Sequence, residues 1–202
     1  MDFFRLAKQG LSTHTEYATG FDIMVKNLRV RRDKLLNAAE GYLMLEMPSQ
    51  ALECLDQIID PERAQFAANY LRGMVLRQMG DHQAALDAFD VALDEQPDHL
   101  SLLLAMAWCY KRTDRLERAI TAMEQAYAAD PTEPIVLYNL ACYWALAGNK
   151  SQALSWLGRA LRMNCDLKRL ISEEQDFDRL RNDPDFELLV GLAGAGDTPT
   201  AA

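Results

Sequence analysis

Apolar and small residues recur along this chain at a fixed stride of 34. Ala51, Ala85, Ala119 and Ala153 keep that step. So do Leu55, Phe89, Met123 and Leu157, and also Ile58, Ala92, Ala126 and Ala160. Upstream in each unit the same stride links Ala39, Gly73, Ala107 and Ala141, and Tyr42, Leu76, Tyr110 and Trp144. Within a unit the apolar spacing is helical, three or four residues, and no stretch alternates as a strand does. A period of this length with small residues at two set places predicts stacked helical hairpins. The fold class expected is therefore all-α. Alanine or glycine lets two helix backbones approach closely, and the larger residues fill the groove toward the next unit.

Four units follow from the stride, 32–65, 66–99, 100–133 and 134–167, each an A helix and a B helix. Gly80 and Gly148 fall in the A-to-B turn, where a positive φ is often needed, while Glu46 and Asp114 stand in that place in the other two units. Pro48 helps end the first A helix. Pro97 and Pro131 close B helices, Pro61 does so about one residue early, and Pro134 suits the first turn of the last A helix.

The flanks do not follow the stride. Residues 2–10 predict a short amphipathic helix carrying Phe3 and Phe4 and stopping at Gly10. Thr13 and Glu16 match a capping box that opens a second helix, on which Tyr17, Phe21, Met24 and Leu28 form one stripe. Gly20 predicts a bend in it. Residues 1–31 are read as an N-terminal helical cap over the first unit, with membrane-surface binding by Phe3 and Phe4 as the alternative. After 167, Phe177, Leu180, Phe186, Leu189 and Val190 are expected to fold over the open face of the last unit, making 168–192 a C-terminal helical cap. Residues 193–202 are small and polar and are expected to be a disordered tail.

These units resemble the tetratricopeptide repeat (TPR) family over about 32–167. The best match is 66–99, with Gly73, Leu76, Gly80, Ala85, Phe89, Ala92 and Pro97 on pattern. Departures are Leu35, Asn69, Leu103 and Leu137 where tryptophan is favoured, Arg72 at a usual leucine, and Cys165 in place of the last proline. The 168–192 segment is similar to the closing segment of some bacterial arrays of the family. The resemblance implies a right-handed superhelical α-solenoid whose concave wall is lined by A-helix places 2, 5, 6, 9, 12 and 13.

That map selects Ala67, Tyr70, Met74, Ser101, Leu104, Ala105, Trp108, Ile135, Tyr138, Asn139 and Cys142, with Arg77, Lys111 and Arg112 as a basic rim. A contiguous apolar and aromatic set on an exposed wall marks a binding site, and Tyr and Trp often dominate binding energy. The partner-binding residues expected are thus Tyr70, Met74, Arg77, Ser101, Leu104, Trp108, Lys111, Arg112, Tyr138 and Asn139. Trp108 and Tyr138 could instead pack against a neighbour or the C-terminal cap. Family members that grip acidic chaperone tails use Lys, Asn and Arg on these places. Here only Asn139 is clamp-like, so an apolar peptide or helix with acidic flanks is the expected partner.

Composition narrows the function further. With 21 basic and 30 acidic residues the net charge is −9, which argues against general nucleic-acid binding. Residues 1–35 carry +3, leaving −12 for the remainder; the basic run reads as a solvated helix face or as a docking patch for an acidic partner. Cys54, Cys109, Cys142 and Cys165 form no CxxC pair and have no His at metal spacing, so no metal is expected. They read as small hydrophobes of a reducing compartment, and a cytoplasmic location is expected. Asp2, Arg5 and Lys8 interrupt the N-terminal apolar cluster, against a signal peptide, and no apolar run reaches a membrane span. His14, His82 and His99 lie far apart, and no GxSxG, phosphate loop or HExxH is present. The expectation is a non-enzymatic, cofactor-free interaction scaffold or adaptor. The alternatives are a dedicated chaperone for one secreted or assembling protein, a structural homo-oligomer built through the N-terminal helices or the groove, and an accessory subunit of an enzyme complex.

Overall fold

Among the described residues, α-helices follow one another as four antiparallel pairs, and each pair leans on the next. The computed structural model describes residues 3–58 and 65–192, with side chains from 24 onward. The pairs are α1 (Phe3–Met44) with α2 (Pro48–Asp56), α3 (Gln65–Met79) with α4 (His82–Glu95), α5 (Leu100–Arg112) with α6 (Leu116–Ala129), and α7 (Pro134–Leu146) with α8 (Lys150–Met163). Each B helix also packs on the next A helix, giving a solenoid with no strand among the described residues.

The A-to-B turns explain why one stride serves all four units. Glu46, Gly80, Asp114 and Gly148 all have positive φ, at 56°, 84°, 58° and 76°. In each unit the N–H one residue further on donates to a carbonyl five residues back: Met47 to Tyr42, Asp81 to Leu76, Arg115 to Tyr110 and Asn149 to Trp144, at 2.9–3.0 Å. This is the Schellman closure, which satisfies carbonyls at the helix end and needs one left-handed residue. Glu46 and Asp114 adopt that conformation without being glycine, so the turn geometry is imposed by packing of the two helices rather than by local preference. Asp81 and Asn149 then cap the B helices, accepting from the N–H of Ala84 and of Gln152 at 3.1 Å.

The small residues sit where backbones touch. Ala39, Ala51, Ala85, Ala92, Ala107, Ala119, Ala126, Ala141, Ala153 and Ala160 are all completely buried. Gly73 is the tightest contact, since a Cβ there would lie 2.3 Å from Cε1 of Phe89.

The N-terminal expectation needs correcting. α1 runs unbroken from Phe3 to Met44, through both Gly10 and Gly20, so the stop at Gly10 and the new start at Thr13 do not occur. A glycine costs only about 1 kcal/mol in a helix interior, too little to break a helix whose flanking residues favour it. The segment before residue 32 and the first A helix are one rod. On it Met24 and Val30 are about half exposed and Leu28 half-buried. The side chains of Phe3, Phe4, Tyr17 and Phe21, the helix stop at Pro61 and the 193–202 tail lie outside the described residues.

After α8 the chain makes a 3-10 turn (Cys165–Leu167), α9 (Lys168–Ile171), a second 3-10 segment (Gln175–Leu180) and α10 (Pro184–Leu192). Phe177, Leu180 and Phe186 are buried in the same core as α7 and α8, and Leu189 and Val190 pack against it. Lys150 on α8 pairs with Asp183 at 2.6 Å and Asp185 at 2.8 Å, fastening α10 to the last hairpin.

Candidate functional site

The inner faces of α3, α5 and α7 form a groove. Tyr70, Met74 and Arg77 come from α3, Ser101, Leu104, Ala105 and Trp108 from α5, and Ile135, Asn139 and Tyr143 from α7, around a cavity of about 330 Å³. A second cavity of about 590 Å³ continues from it toward α1, between Leu43, Met74, Arg77, Gln78 and Trp108. Seven of the ten residues singled out from the sequence therefore line one concavity: Tyr70, Met74, Arg77, Ser101, Leu104, Trp108 and Asn139. The 34-residue stride brings them together, because equivalent A-helix places stack one above another along the solenoid.

Trp108 occupies the centre. Its ring is met by the guanidinium of Arg77 at 5.5 Å and by that of Arg112 at 5.1 Å. The His82 ring, from α4, stands edge-on to it at 5.0 Å. Cations over the indole face are attracted by its quadrupole, so the arginines hold the ring in place and keep their charge at the groove surface. Tyr70 stacks on Phe66 at 5.7 Å and tilts against His99 at 5.5 Å and Phe89 at 6.3 Å. Burial pushes its phenol pKa up, while Arg77 pulls the other way. The wall is aromatic, half-buried and edged by positive charge.

Two of the expected residues are not available at that surface. Tyr138 is only 3% exposed, with its ring edge-on to Phe177 at 5.8 Å. Its hydroxyl is buried, and burial pushes its pKa up strongly. Lys111 donates to the carboxylate of Asp176, which is 6% exposed, and its ammonium lies 5.8 Å from the Tyr143 ring centre. Both corrections have one cause: the Gln175–Leu180 segment folds back onto α7 and engages Tyr138 and Lys111. Arg112 remains exposed beside Trp108.

The stride could not show three groups that matter here. Asp176 and Phe177 reach the wall from the non-repeating cap, and His82 reaches Trp108 from a B helix. Their signal in the sequence was a lone acid–aromatic pair and a lone histidine, neither tied to the wall by spacing.

Cys142, Glu174 and Asp176 bring a thiol and two carboxylates within 4.8 Å of one another. The Lys111 ammonium supplies the countercharge there, and burial pushes the Cys142 thiol toward its neutral form, which is a poor metal ligand. Cys109 is likewise buried, and its pKa is pushed up to about 11, so it packs as a hydrophobe. Cys165 is exposed rather than packed, and Cys54 is half-buried; all four thiols are free.

Comparison with known proteins fits this architecture. Family models described as tetratricopeptide repeat match residues 36–99 and 104–165, and another of the same description matches 76–125. The cellulose synthase operon protein C of Pseudomonas fluorescens (strain SBW25) is 31% identical over 120 residues, 55% of this chain. The chain spans only 9% of that protein's length. Among solved structures, PilF of Pseudomonas aeruginosa has a TM-score of 0.67 at 18% identity, over 86% of this chain and 79% of its own. MamA from Desulfovibrio magneticus RS-1 has a TM-score of 0.63 at 18% identity, over 83% and 98%. At such identities these structures establish the shared fold alone. With matched repeats over more than half its length, each closing on the same left-handed turn, the chain belongs to the tetratricopeptide repeat family.

Proposed function

We propose that this protein is a non-enzymatic interaction scaffold that holds a segment of a partner protein in the concave groove. Tyr70, Met74, Leu104 and Trp108 are the apolar anchors, Ser101 and Asn139 supply polar contacts, and Arg77 and Arg112 orient a segment with acidic flanks. The observation that carries the reading is Trp108, a half-buried indole at the centre of a concavity with two guanidiniums on its ring. Large aromatic residues in such settings are frequent binding hot spots. The exposed charge of Arg112 acts more on orientation and association rate than on affinity. The groove is preformed on rigid helices, so little ordering is needed when a segment binds. The family's usual role as an interaction module supports the absence of catalysis. The free cysteines support a reducing, cytoplasmic setting.

The test is capture of partners from the native cell by wild type and by Trp108→Ala, with circular dichroism to verify that the repeats remain folded. Loss of an anchor of this kind is expected to weaken binding by about 2 kcal/mol, roughly thirty-fold. Equal capture of every partner would remove the groove from the reading.

Self-association is a second reading, favoured by α1. This helix of 42 residues shows Met24 and Val30 to solvent ahead of the repeats. Light scattering after size exclusion decides it, because a monomer at working concentration is incompatible with it.

A further inference from the structure

The C-terminal segment sets two of its own side chains against the concave wall. The carboxylate of Asp176 pairs with Lys111, and the next residue, Phe177, sets its ring against Tyr138, with both Asp176 and Phe177 buried. Lys111 is the twelfth place of one repeat and Tyr138 the fifth place of the next. Moving back by one 34-residue step turns Lys111 into Arg77, Tyr138 into Leu104, and Cys142 into Trp108. These three line the open cavity together. A repeat array presents equivalent places in equivalent geometry, so the open cavity is a second copy of the subsite that the cap fills. A third copy is missing, since the twelfth place of the first repeat is Leu43.

Charge agrees with this. Asp176 answers Lys111, whereas the Arg77 guanidinium lies over the Trp108 ring and pairs with no carboxylate among the described residues. In a protein of net charge −9, a guanidinium with no such partner at the edge of a concave apolar wall leaves a place for an acid from outside. In the filled subsite the Cys142 thiol lies within 4.8 Å of the Asp176 carboxylate, so Trp108, at the equivalent place, borders the position of the acid and offers it a larger apolar wall.

We infer that the open groove recognises a partner segment in which an acidic residue is followed directly by an aromatic one, its carboxylate on Arg77 and its ring between Leu104 and Trp108. The inference rests on the groove reading above and specifies its ligand.

The experiment uses the full chain and a labelled six-residue peptide copying residues 173–178, Glu-Glu-Gln-Asp-Phe-Asp, followed by fluorescence anisotropy. Saturable binding is expected. Replacing the peptide's Asp-Phe by Asn-Phe or by Asp-Ala should weaken it by about tenfold or more, and Arg77→Gln in the protein should do the same. Arg162→Gln, an exposed change on α8 away from the groove, should leave it unaltered. Equal binding to Arg77→Gln, whether from displacement of the cap or from diffuse attraction, would overturn the proposal, as would no saturation up to about 1 mM. If the Asn-Phe peptide binds as well as the parent and both are lost in Trp108→Ala, the acidic–aromatic assignment fails while the groove reading survives. If Trp108→Ala leaves binding intact, both fail. A concentration-dependent dimer that excludes the peptide would assign the cavity to a second copy of the chain and overturn the proposal.

Discussion

Replacing Gly73 by alanine tests how the hairpins are packed. A Cβ at that position would lie 2.3, 2.4 and 2.9 Å from Cε1, Cδ1 and Cγ of Phe89, where ordinary carbon contacts are about 3.5–4.0 Å. The ring must withdraw by more than about an ångström. Phe89 has no exposed surface and lies against Tyr70, so it has no free direction. Overpacking of this kind costs about 1–3 kcal/mol, and the better helix propensity of alanine returns about 1. A net destabilisation of up to about 2 kcal/mol is expected, a fall in melting temperature of up to several degrees. The other repeats show the remedy. At the same two places they hold Ala39 with Leu55, Ala107 with Met123, and Ala141 with Leu157, so the smaller partner faces the larger ring only in the second repeat. Phe89→Leu alone should cost roughly 1–2 kcal/mol through lost transfer energy and a cavity. Combined with Gly73→Ala, it restores the pairing of the other three, and the double variant should be more stable than the sum of the singles by about 1–2 kcal/mol. Urea unfolding followed by circular dichroism measures all four corners of the cycle. Additivity within about 0.5 kcal/mol, or a stabilising Gly73→Ala, would refute the argument.

Three further outcomes follow from the turns, the small-residue contacts and the cap. Glu46→Gly should raise the melting temperature, by up to about 1 kcal/mol of stability, because a left-handed Glu carries a strain that glycine lacks; Asp114→Gly should gain less, since Asp tolerates that region better, and Gly80→Ala should lose about 1 kcal/mol. Opposite signs in a thermal melt would count against the turn analysis. Ala119→Leu should be destabilising by about 1–3 kcal/mol with helix content kept, because Ala119 has no exposed surface; an unchanged melting temperature would contradict the register. Asp183 is held below the usual carboxylate range, chiefly by its hydrogen bond to Lys150. A depressed pKa contributes stability above the unfolded value, near 3.9, that is lost as pH falls through the native one. Asp183→Asn keeps a capping side chain for α10 but removes that titration, so its urea midpoint should vary less with pH between about 2 and 5 than that of wild type. Identical pH profiles would remove the ion pair from the account.

The stride made most of the fold legible. Ala85, Phe89 and their equivalents define a register in which one packing solution is repeated, so the hairpins, their order and the buried small residues could be read from spacing alone. The seven residues of the concavity were singled out by the resemblance to the tetratricopeptide family, which supplied the map of A-helix places, and the stride carried that map from unit to unit. What failed had no repeat to constrain it. Gly10 looked like a stop, yet it does not outweigh the propensity of the residues around it, and α1 runs through it.

From the residues alone, then, came the periodic contact: alanine and glycine at one stride set how close backbones come, and that distance dictates a stack. Tertiary structure decided what the stack leaves open. The segment after the last hairpin folds back so that Asp176 pairs with Lys111 and Phe177 covers Tyr138, while Arg77 and Trp108, one repeat away, stay uncovered. Neither choice is local. It depends on how far a non-repeating tail reaches along a wall formed only once all four hairpins are in place.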